Sequence, residues 1–176
     1  MPSISIDGGS IQLSRRSGLL DTNVLVALFD PRDRDHDQAE AVLESEDDYT
    51  WVVLPPVVIE AVGLLLRRTK DRRLTIELID WMLNPGNRVL MIPDPNHPLD
   101  VVEITRKHSI WMNKYSVDFV DAYVMQSADR LTRRCDLRPH MPVFTFDTSD
   151  YFKCSGGQYR FSVYDMRSAD GVIEFQ

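Results

Sequence analysis

Residues 18–29 read GLLDTNVLVALF, and the rest of the chain is organised around this stretch. A short apolar run, residues 18–20, ends at Asp21 and leads into a second apolar segment, residues 24–29, which a charged stretch follows. A short apolar run bounded by a polar turn is the pattern of a buried strand. The stretch therefore predicts a strand, a turn at Asp21 and a helix.

Outward from this stretch, strand and helix patterns alternate along the chain. Strands are predicted over residues 51–54, 89–92 and 143–146, a loop over 94–98, and helices over 33–46, 56–70, 72–83, 99–111 and 118–134. The helix 56–70 is apolar nearly all round, which predicts that it is buried. The alternation predicts an α/β fold, a three-layer sandwich in which helices flank a central, mostly parallel sheet.

Both ends of the chain extend beyond this alternation. In the N-terminal extension, residues 1–16, Ile4, Ile6, Ile11 and Leu13 alternate with polar residues around a DGG turn, which predicts a hairpin; a disordered tail is the alternative. Residues 156–176 form a C-terminal tail with one more predicted strand at 161–164. The core domain then spans residues 17–155.

The charge balance argues against a generally basic nucleic-acid-binding surface. The chain has 176 residues, 43% of them hydrophobic, which suits one domain with an ordinary core. It carries 27 acidic and 20 basic residues, a net charge of −7, whereas nucleic-acid-binding proteins are usually basic. Net charge bears on solubility and association rather than on fold. An acidic total is also compatible with several carboxylates that a divalent cation neutralises.

Sequence features also bear on the cellular compartment. No apolar stretch is long enough to span a bilayer, and the N-terminus lacks the apolar middle region of a signal peptide. We therefore expect a soluble, cytoplasmic protein with no membrane partner. Cys135, Cys154 and the histidines lack metal-ligand spacing, so we expect reduced structural thiols and no zinc site.

Four acidic residues lie at the ends of matching elements. Asp21 follows the first core strand and Asp147 the last, while Glu60 and Asp121 each lie about one turn into a helix. In an open parallel sheet, ligands bind beyond the carboxyl ends of the strands. All four acids lie in or beside strongly apolar sequence, where a carboxylate is costly unless a partner satisfies it. The four positions together therefore indicate a functional site.

A cluster of four carboxylates has a defined chemistry. The groups repel one another and raise each other's pKa values unless a cation bridges them. Oxygen ligands with retained water molecules are the environment that Mg²⁺ or Mn²⁺ prefers. Such a site lowers the pKa of a bound water and neutralises the charge that develops on a phosphodiester during hydrolysis.

Each acid also has a purely structural interpretation. Asp21 could be the N-cap of the following helix, Glu60 a partly exposed helix residue, and Asp147 part of a polar turn. Asp118 and Asp121 lie three residues apart on one helix face. We take Asp118 as the N-cap and Asp121 as the functional acid, because Asp121 falls inside the apolar run FVDAYV.

The order of these motifs resembles the PIN-domain pattern, most closely that of small VapC-type toxins. It consists of LLDTN at residues 19–23, Glu60 after a strand, FVDA at 119–122 and FTFD at 144–147, and the resemblance covers residues 18–152. It implies a PIN-like nuclease domain and a metal-dependent endoribonuclease that uses Mg²⁺ or Mn²⁺. Carried over by position, the catalytic and metal-holding acids are Asp21, Glu60, Asp121 and Asp147, with Asn23 and Thr145 supporting them by hydrogen bonds.

The resemblance further implies an RNA substrate, an antitoxin whose helical segment covers the site, and a homodimer. Two basic groups are candidates for RNA contact, with a solvated helix face as the alternative for each. The first is Arg67, Arg68, Lys70, Arg72 and Arg73, and the second is Arg130, Arg133 and Arg134. Within the first group, the predicted RNA-binding residues are Arg67, Arg68 and Arg72.

Three other functions compete with a toxin ribonuclease. One is a PIN nuclease that processes RNA outside a toxin pair, and another is a PIN-fold binding module without catalysis. The presence of all four acids argues against the binding module. The third, a phosphatase with an aspartyl nucleophile, requires a second aspartate two residues after Asp21, where Asn23 stands.

Overall fold

The computed structural model describes residues 3–6, 9–13, 16–46, 48–92, 101–137, 140–154, 159–168 and 172–174. The strands are β1 Ser3–Ile6, β2 Gly9–Gln12, β3 Ser17–Leu20, β4 Thr50–Val53, β5 Val89–Met91, β6 Pro142–Thr145, β7 Ser162–Asp165 and β8 Val172–Glu174. The helices are α1 Thr22–Phe29, α2 His36–Ser45, α3 Pro55–Thr69, α4 Arg72–Leu83, α5 Val101–Tyr115, α6 Phe119–Cys135 and α7 Ser149–Phe152, with a 3-10 turn at Pro85–Asn87.

The central sheet has the strand order β5-β4-β3-β6-β7-β8. Its first five strands run parallel, and β8 pairs with β7 in the antiparallel direction. The two central strands, β3 and β6, are buried along their whole length, as expected when helices cover both faces of a parallel sheet. The predicted α/β fold with a mostly parallel central sheet is therefore confirmed.

Most predicted elements lie within a few residues of the observed ones. The helix predicted over 33–46 begins only at His36, because residues 31–35 form turns in which the backbone N–H groups of Asp33 and His36 donate to Asp30 and Asp33. The loop predicted over 94–98 lies outside the described residues. Helix α5 is observed from Val101 to Tyr115, four residues beyond the predicted end.

The prediction that the helix after the second core strand is buried all round is wrong. Along α3, Val57, Ala61 and Leu65 form a fully buried stripe with a spacing of four residues. Ile59 is 75% exposed and Leu66 is 37% exposed on the outer surface. A helix in an outer layer contacts the rest of the molecule along one stripe only, so its other face needs a partner or solvent.

The terminal segments contain strands at both ends. Strands β1 and β2 pair antiparallel, as the hairpin prediction requires, and residues 7–8 between them lie outside the described residues. The strand predicted at 161–164 is observed as β7, which pairs in parallel with β6. The C-terminal tail therefore extends the central sheet, while the proposed division of the chain at residues 16 and 155 stays a prediction.

The sequence predicts no segment that spans a membrane. None of the helices in the described part of the chain is long and apolar enough to cross a bilayer.

Gly18 sits where β3 meets an aromatic cluster. A Cβ atom at this position would lie 2.3 Å from Cε2 of Phe144. The Phe144 ring is fully buried and stacks on Tyr164 with centroids 4.3 Å apart. Its edge-on contact with Trp51 has centroids 5.0 Å apart, so the ring has no free direction in which to move.

We predict that Gly18→Ala destabilises the protein by about 1–3 kcal/mol, because overpacking forces the Phe144 ring away from its neighbours. The same substitution at Gly63 is the matched control. Gly63 lies on the exposed face of α3, and its added Cβ would meet nothing within 4 Å. Gly63→Ala should stabilise the helix by about 0.5–1 kcal/mol. Urea denaturation that gives both variants the same sign would contradict this account.

Candidate active site

The site forms where β3 and β6 end side by side. Leu20 on β3 is aligned with Phe144 on β6, so the next residues of the two strands are neighbours. The backbone N–H of Asp21 donates to the carbonyl of Phe144 over 3.1 Å and continues the sheet by one residue. Asp21 therefore lies beside Thr145, at the carboxyl edge of the parallel sheet where ligands bind in such folds.

The Asp21 carboxylate is almost fully buried and accepts three hydrogen bonds. The backbone N–H of Thr22 donates to Oδ1 over 2.6 Å, which makes Asp21 the N-cap of α1. Thr145 Oγ1 and Asn23 Nδ2 donate to Oδ2 over 2.7 and 3.0 Å. The structural and functional interpretations of Asp21 are thus compatible, since capping the helix uses one carboxylate oxygen and orients the other.

Asn23 and Thr145 tie this carboxylate to the end of β6. Asn23 Oδ1 accepts the backbone N–H of Phe146 over 3.0 Å, and Asn23 Nδ2 also lies 2.9 Å from Thr145 Oγ1. Thr145 Oγ1 accepts the backbone N–H of Asp147 over 3.0 Å. Both side chains therefore hold Asp21 and Asp147 in a fixed relation across two chain segments.

Asp118 and Asp121 divide the roles at the start of α6. Asp118 has an extended backbone and is the N-cap, with its Oδ1 accepting the backbone N–H of Asp121 over 2.9 Å. Asp121 is half-buried in the first helical turn, and its carboxyl is left free of the capping role. This arrangement agrees with the N-cap that the sequence predicts at Asp118.

Glu60 and Asp147 approach from two other segments. Glu60 Oε2 accepts a hydrogen bond from Thr22 Oγ1 over 2.7 Å, which links α3 to the start of α1. Asp147 is exposed, and its Oδ1 accepts from the backbone N–H and the hydroxyl of Ser149 over 3.1 and 2.6 Å.

One cleft of about 750 Å³ brings these groups together. The acids that line it are Asp21, Asp30, Asp33, Asp35, Glu60, Asp118, Asp121, Asp147 and Asp150. All four acids predicted from the sequence are among them. Asp150 was missed, because in the sequence DTSD it reads as the end of a polar turn. In the structure Asp150 interacts with Asp121 and pairs with Lys153.

Burial and crowding change the protonation of the two inner acids. Burial raises the pKa of Asp21 to about 6, although the hydrogen bonds from Thr145 and Thr22 oppose this rise. Burial also raises the pKa of Asp121 to about 8, and the charges of Asp21, Asp118 and Asp150 add to the effect. Without a cation, these acids therefore compete for protons near neutral pH.

The donor set fits a divalent metal ion such as Mg²⁺ or Mn²⁺. Carboxylate oxygens are the ligands that such hard cations prefer. Within the described residues, no three acidic, histidine or cysteine side chains are drawn together into a preformed metal cage. The residues that would hold the ion are Asp21, Glu60, Asp121 and Asp147.

The other end of the cleft is lined by arginines. They are Arg32, Arg34, Arg68 and Arg167. Arg68 Nη1 lies 2.7 Å from Asp33, and Arg167 makes two contacts with Asp35, the shorter of 2.6 Å. The Arg167 guanidinium also lies 5.6 Å from the centre of the Phe146 ring. The cleft therefore combines the four predicted acids with a group of arginines that are paired with Asp30, Asp33 and Asp35.

The sequence-predicted basic groups are only partly in this cleft. Arg68 lines it, whereas Arg67 and Arg72 are exposed outside it. The second group, Arg130, Arg133 and Arg134, does not line the cleft either. Arg32, Arg34 and Arg167 were missed, because the packing of the loop after α1 and of the turn after β7 places them there.

We predict that Asp121→Asn raises the metal-free melting temperature at pH 8. A carboxyl whose pKa is higher in the folded than in the unfolded protein stabilises the fold at low pH, and this stability is lost as the pH rises through the folded pKa. For Asp21 and Asp121 that window runs from the ordinary aspartate pKa of 3.8 up to about 6 and about 8. Each 1 kcal/mol of relieved repulsion corresponds to a rise of about 2–4 °C.

Melting curves between pH 5 and 8 test this prediction. The metal-free wild type should lose stability as the pH rises, and Asp121→Asn should flatten that slope. Asp118→Asn is the comparison variant, because asparagine still caps the helix and the exposed Asp118 charge is only one of several causes of the raised pKa of Asp121, so it should flatten the slope less. A lower melting temperature for Asp121→Asn would identify Asp121 as a structural residue.

Comparisons with known structures agree with this fold. The Mycobacterium tuberculosis protein VapC20, described as a toxin that cleaves the sarcin–ricin loop, is similar with a TM-score of 0.56 and 18% identity, covering 76% of this chain and 92% of that chain. FitAB bound to the IR36 DNA fragment has a TM-score of 0.53 and 21% identity, covering 85% and 95%. VapBC2 from Rickettsia felis, bound to a DNA fragment from their promoter, has a TM-score of 0.50 and 12% identity, covering 78% and 92%.

At these identities the structural similarity shows the fold. A comparison with curated proteins gives no match. Among protein families, the PIN domain matches residues 18–153, which include all four acids. Because this match spans most of the sequence, the chain belongs to the PIN-domain family.

Proposed function

We propose that this protein is a metal-dependent endoribonuclease and the toxin of a toxin–antitoxin pair. PIN domains are a family of nucleases, and the similar fold of VapC20, described as a toxin that cleaves the sarcin–ricin loop, supports the toxin assignment. The observation that carries the proposal is the position of Asp21. A buried carboxylate that three donors orient toward a cleft, beside the half-buried acid Asp121, is costly unless a cation binds there.

Asp21, Glu60, Asp121 and Asp147 would hold the cation, Mg²⁺ or Mn²⁺. When bound, such an ion supplies an activated water and neutralises charge on the phosphodiester. The contribution of the protein lies in positioning these acids. Thr145 and Asn23 fix the orientation of Asp21, Thr22 fixes that of Glu60, and Ser149 fixes that of Asp147. A PIN-fold binding module without catalysis would be expected to lack at least one of these four acids, and this chain has all of them.

The arginine end of the cleft supports an RNA substrate. Contacts to the phosphate backbone supply much of the affinity of nucleic-acid-binding proteins and do not depend on base sequence. Arg68 and Arg167 face the cleft from opposite chain segments, so a strand that lies across the acids would pass beside their guanidinium groups. Four arginines beside Asp30, Asp33 and Asp35 supply local cationic groups for phosphate contacts, despite the net charge of −7.

Exposed apolar side chains on α3 and α4 support a protein partner. Ile59 is 75% exposed, Ile76 54% and Leu83 60%. Apolar surface of this kind commonly marks an interaction site. We propose that a partner protein, an antitoxin or a second copy of the chain in a homodimer, covers part of this surface.

Incubation with a mixed pool of RNA should give cleavage with Mg²⁺ or Mn²⁺ and none with EDTA. Asp121→Asn should abolish cleavage, because it removes a ligand from the centre of the acid cluster. Loss of a metal-site acid should reduce the cleavage rate at least about 100-fold. Asp118→Ser should stay active, because serine caps a helix nearly as well as aspartate.

Gel analysis of the cleavage products measures both variants. Activity that persists in EDTA would contradict the metal-dependent mechanism. An inactive Asp118→Ser together with an active Asp121→Asn would show that the two aspartates have the opposite roles. Circular dichroism spectra of both variants serve as the folding control.

Removal of the positive charges of Arg67, Arg68 and Arg72 together should weaken RNA binding, and Arg68 should account for the loss. Arg68 lines the cleft and Arg72 does not, although both side chains are exposed. The logarithm of the affinity falls as the logarithm of the salt concentration rises. Each lost phosphate contact should make this negative slope shallower by about 0.7 for single-stranded RNA. Arg68→Gln should show this change and Arg72→Gln should not.

Fluorescence anisotropy with a labelled single-stranded RNA, at several salt concentrations, measures these affinities. The experiment is done with Asp121→Asn as the background, so that no cleavage occurs. Equal losses for Arg68→Gln and Arg72→Gln would indicate a diffuse electrostatic effect in place of a defined contact. An unchanged affinity for Arg68→Gln would remove the cleft edge from the RNA-binding surface.

A further inference from the structure

A second cavity, of about 510 Å³, lies at the amino edge of the central sheet. It is bordered by the end of α1, by α2, by the start of β4 and by the turn that follows α4. The acid cluster lies at the opposite edge, and the two cavities share no lining residue. We call the second one the aromatic cavity, because four aromatic residues line it: Phe29, Tyr49, Trp51 and Trp81.

The walls of the aromatic cavity are built from two pairs of rings. Tyr49 stacks on Trp51 with ring centroids 5.4 Å apart. Phe29 meets Trp81 edge-on, with centroids 5.9 Å apart. Phe29, Tyr49 and Trp81 are each only partly buried, so part of their ring surface is accessible to a ligand. Aromatic faces attract apolar groups and, because their faces carry negative electrostatic potential, cations as well.

Two glutamates border these rings. Glu40 and Glu44 both line the cavity and lie four residues apart, so they face it from one side of α2. Glu40 lies 3.7 Å from the ring of His36. Glu44 is exposed and makes no hydrogen bond or ion pair with any residue that the structure describes. The carboxylates on this side of the cavity can therefore accept hydrogen bonds from a cationic ligand.

The charge around the cavity is also mainly negative. Burial raises the pKa of the Tyr49 hydroxyl, and the charge of Glu46 adds to this rise, while that of Arg16 opposes it. Among the lining residues that the structure describes, Arg88 is the one cation, and it belongs to the turn before β5. The balance of charge therefore disfavours a phosphate group and favours a cation beside α2.

Arginine combines the properties that this lining requires. Its aliphatic stem can pack on Leu28 and Leu43, which also line the cavity. Its planar guanidinium can stack on aromatic rings and donate to carboxylates at the same time. A lysine ammonium is more strongly hydrated and has no plane for stacking, so it matches the lining less well.

We propose that the aromatic cavity binds an arginine side chain of a partner protein. The guanidinium lies against the aromatic rings and donates to Glu44 and Glu40 on α2. Complementary charge selects this occupant, since the carboxylates and the ring faces attract the same cation. The proposal rests on the partner interaction proposed above and names one contact within it.

The position of the cavity agrees with that interaction. The exposed apolar side chains of α4, which are Ile76, Ile79 and Leu83, recur every three or four residues and so form one stripe. The turn that follows the helix supplies Gly86 and Asn87 to the lining of the cavity. A partner that covers this stripe therefore meets the cavity at the end of the helix.

NMR titration of the isotope-labelled protein with a capped arginine, Nα-acetyl-arginine amide, tests the proposal. The chain has three tryptophans, and each gives one indole N–H signal. Trp51 and Trp81 line the aromatic cavity, so their signals should shift until the cavity is saturated. Trp111 lines neither this cavity nor the cleft, so its signal should stay in place. None of the three lines the cleft, so arginine bound to the acid cluster would not produce this pattern.

Capped citrulline, which has the shape of arginine without its charge, is the matched ligand control. It should bind at least about 10-fold more weakly, because it cannot form charge-assisted hydrogen bonds. Glu44→Gln should weaken the binding of capped arginine to a similar degree. Glu77→Gln is the matched protein control, because it removes an exposed glutamate of α4 that does not line the cavity, and it should leave the affinity unchanged.

Several results would overturn the proposal. They are an absence of shifts for Trp51 and Trp81, equal affinities for capped arginine and capped citrulline, and an equal loss of affinity in Glu44→Gln and Glu77→Gln. Tighter binding of free arginine would indicate a metabolite site, because an arginine within a chain lacks the charged amino and carboxyl groups of the free amino acid. Stronger shifts with adenosine monophosphate would indicate a nucleotide site.

The titrations use protein without metal or RNA, so they are independent of the cleavage assay. If arginine binds and RNA is not cleaved, the proposed nuclease function fails while the assignment of the cavity stands. If RNA is cleaved and the Trp51 and Trp81 signals do not shift, only the assignment of the cavity is overturned.

Discussion

The burial of the Asp21 carboxylate at the edge of the central sheet is the constraint on which the site depends. A buried charge requires hydrogen bonds, and Asp21 obtains them from Thr22, Asn23 and Thr145, which belong to α1 and β6. These bonds fix where α1 begins and how β6 ends. The same interactions that satisfy one acid therefore position the next one, Asp147, whose backbone N–H is held by Thr145.

The acids of the cluster lower the stability of the metal-free protein, and the same acids form the proposed metal site. Burial raises the pKa of both Asp21 and Asp121, and neighbouring carboxylates add to the effect at Asp121, so the metal-free fold carries electrostatic repulsion near neutral pH. Strained or repelling groups of this kind are typical of functional sites, where the ligand relieves the repulsion. Beneath the same edge of the sheet, the Phe144 ring packs tightly against neighbouring aromatic rings. This packing makes the edge rigid, so the acids stay in place despite their repulsion.

The arrangement of charges in the cleft bears on the RNA binding that we propose for this acidic protein. The arginines of the cleft are each held near an aspartate that also lines the cleft, as Arg68 is by Asp33 and Arg167 by Asp35. Such exposed ion pairs contribute little to stability. They keep the guanidinium groups oriented toward the cleft, where a phosphate is a competing partner of the same geometry.

The sequence by itself determined the α/β class, the positions of most strands and helices, the N-cap at Asp118 and four acids that line the cleft. These features depend on local patterns: apolar runs that end at an acid, and polar residues that begin helices. Tertiary structure alone decided that Ile59 is exposed, that Asp150 and Arg167 belong near the acids, and that Arg67 and Arg72 lie outside the cleft. The physical reason is that which face of a helix is covered, and which distant turn meets which strand end, depends on packing between segments far apart in sequence.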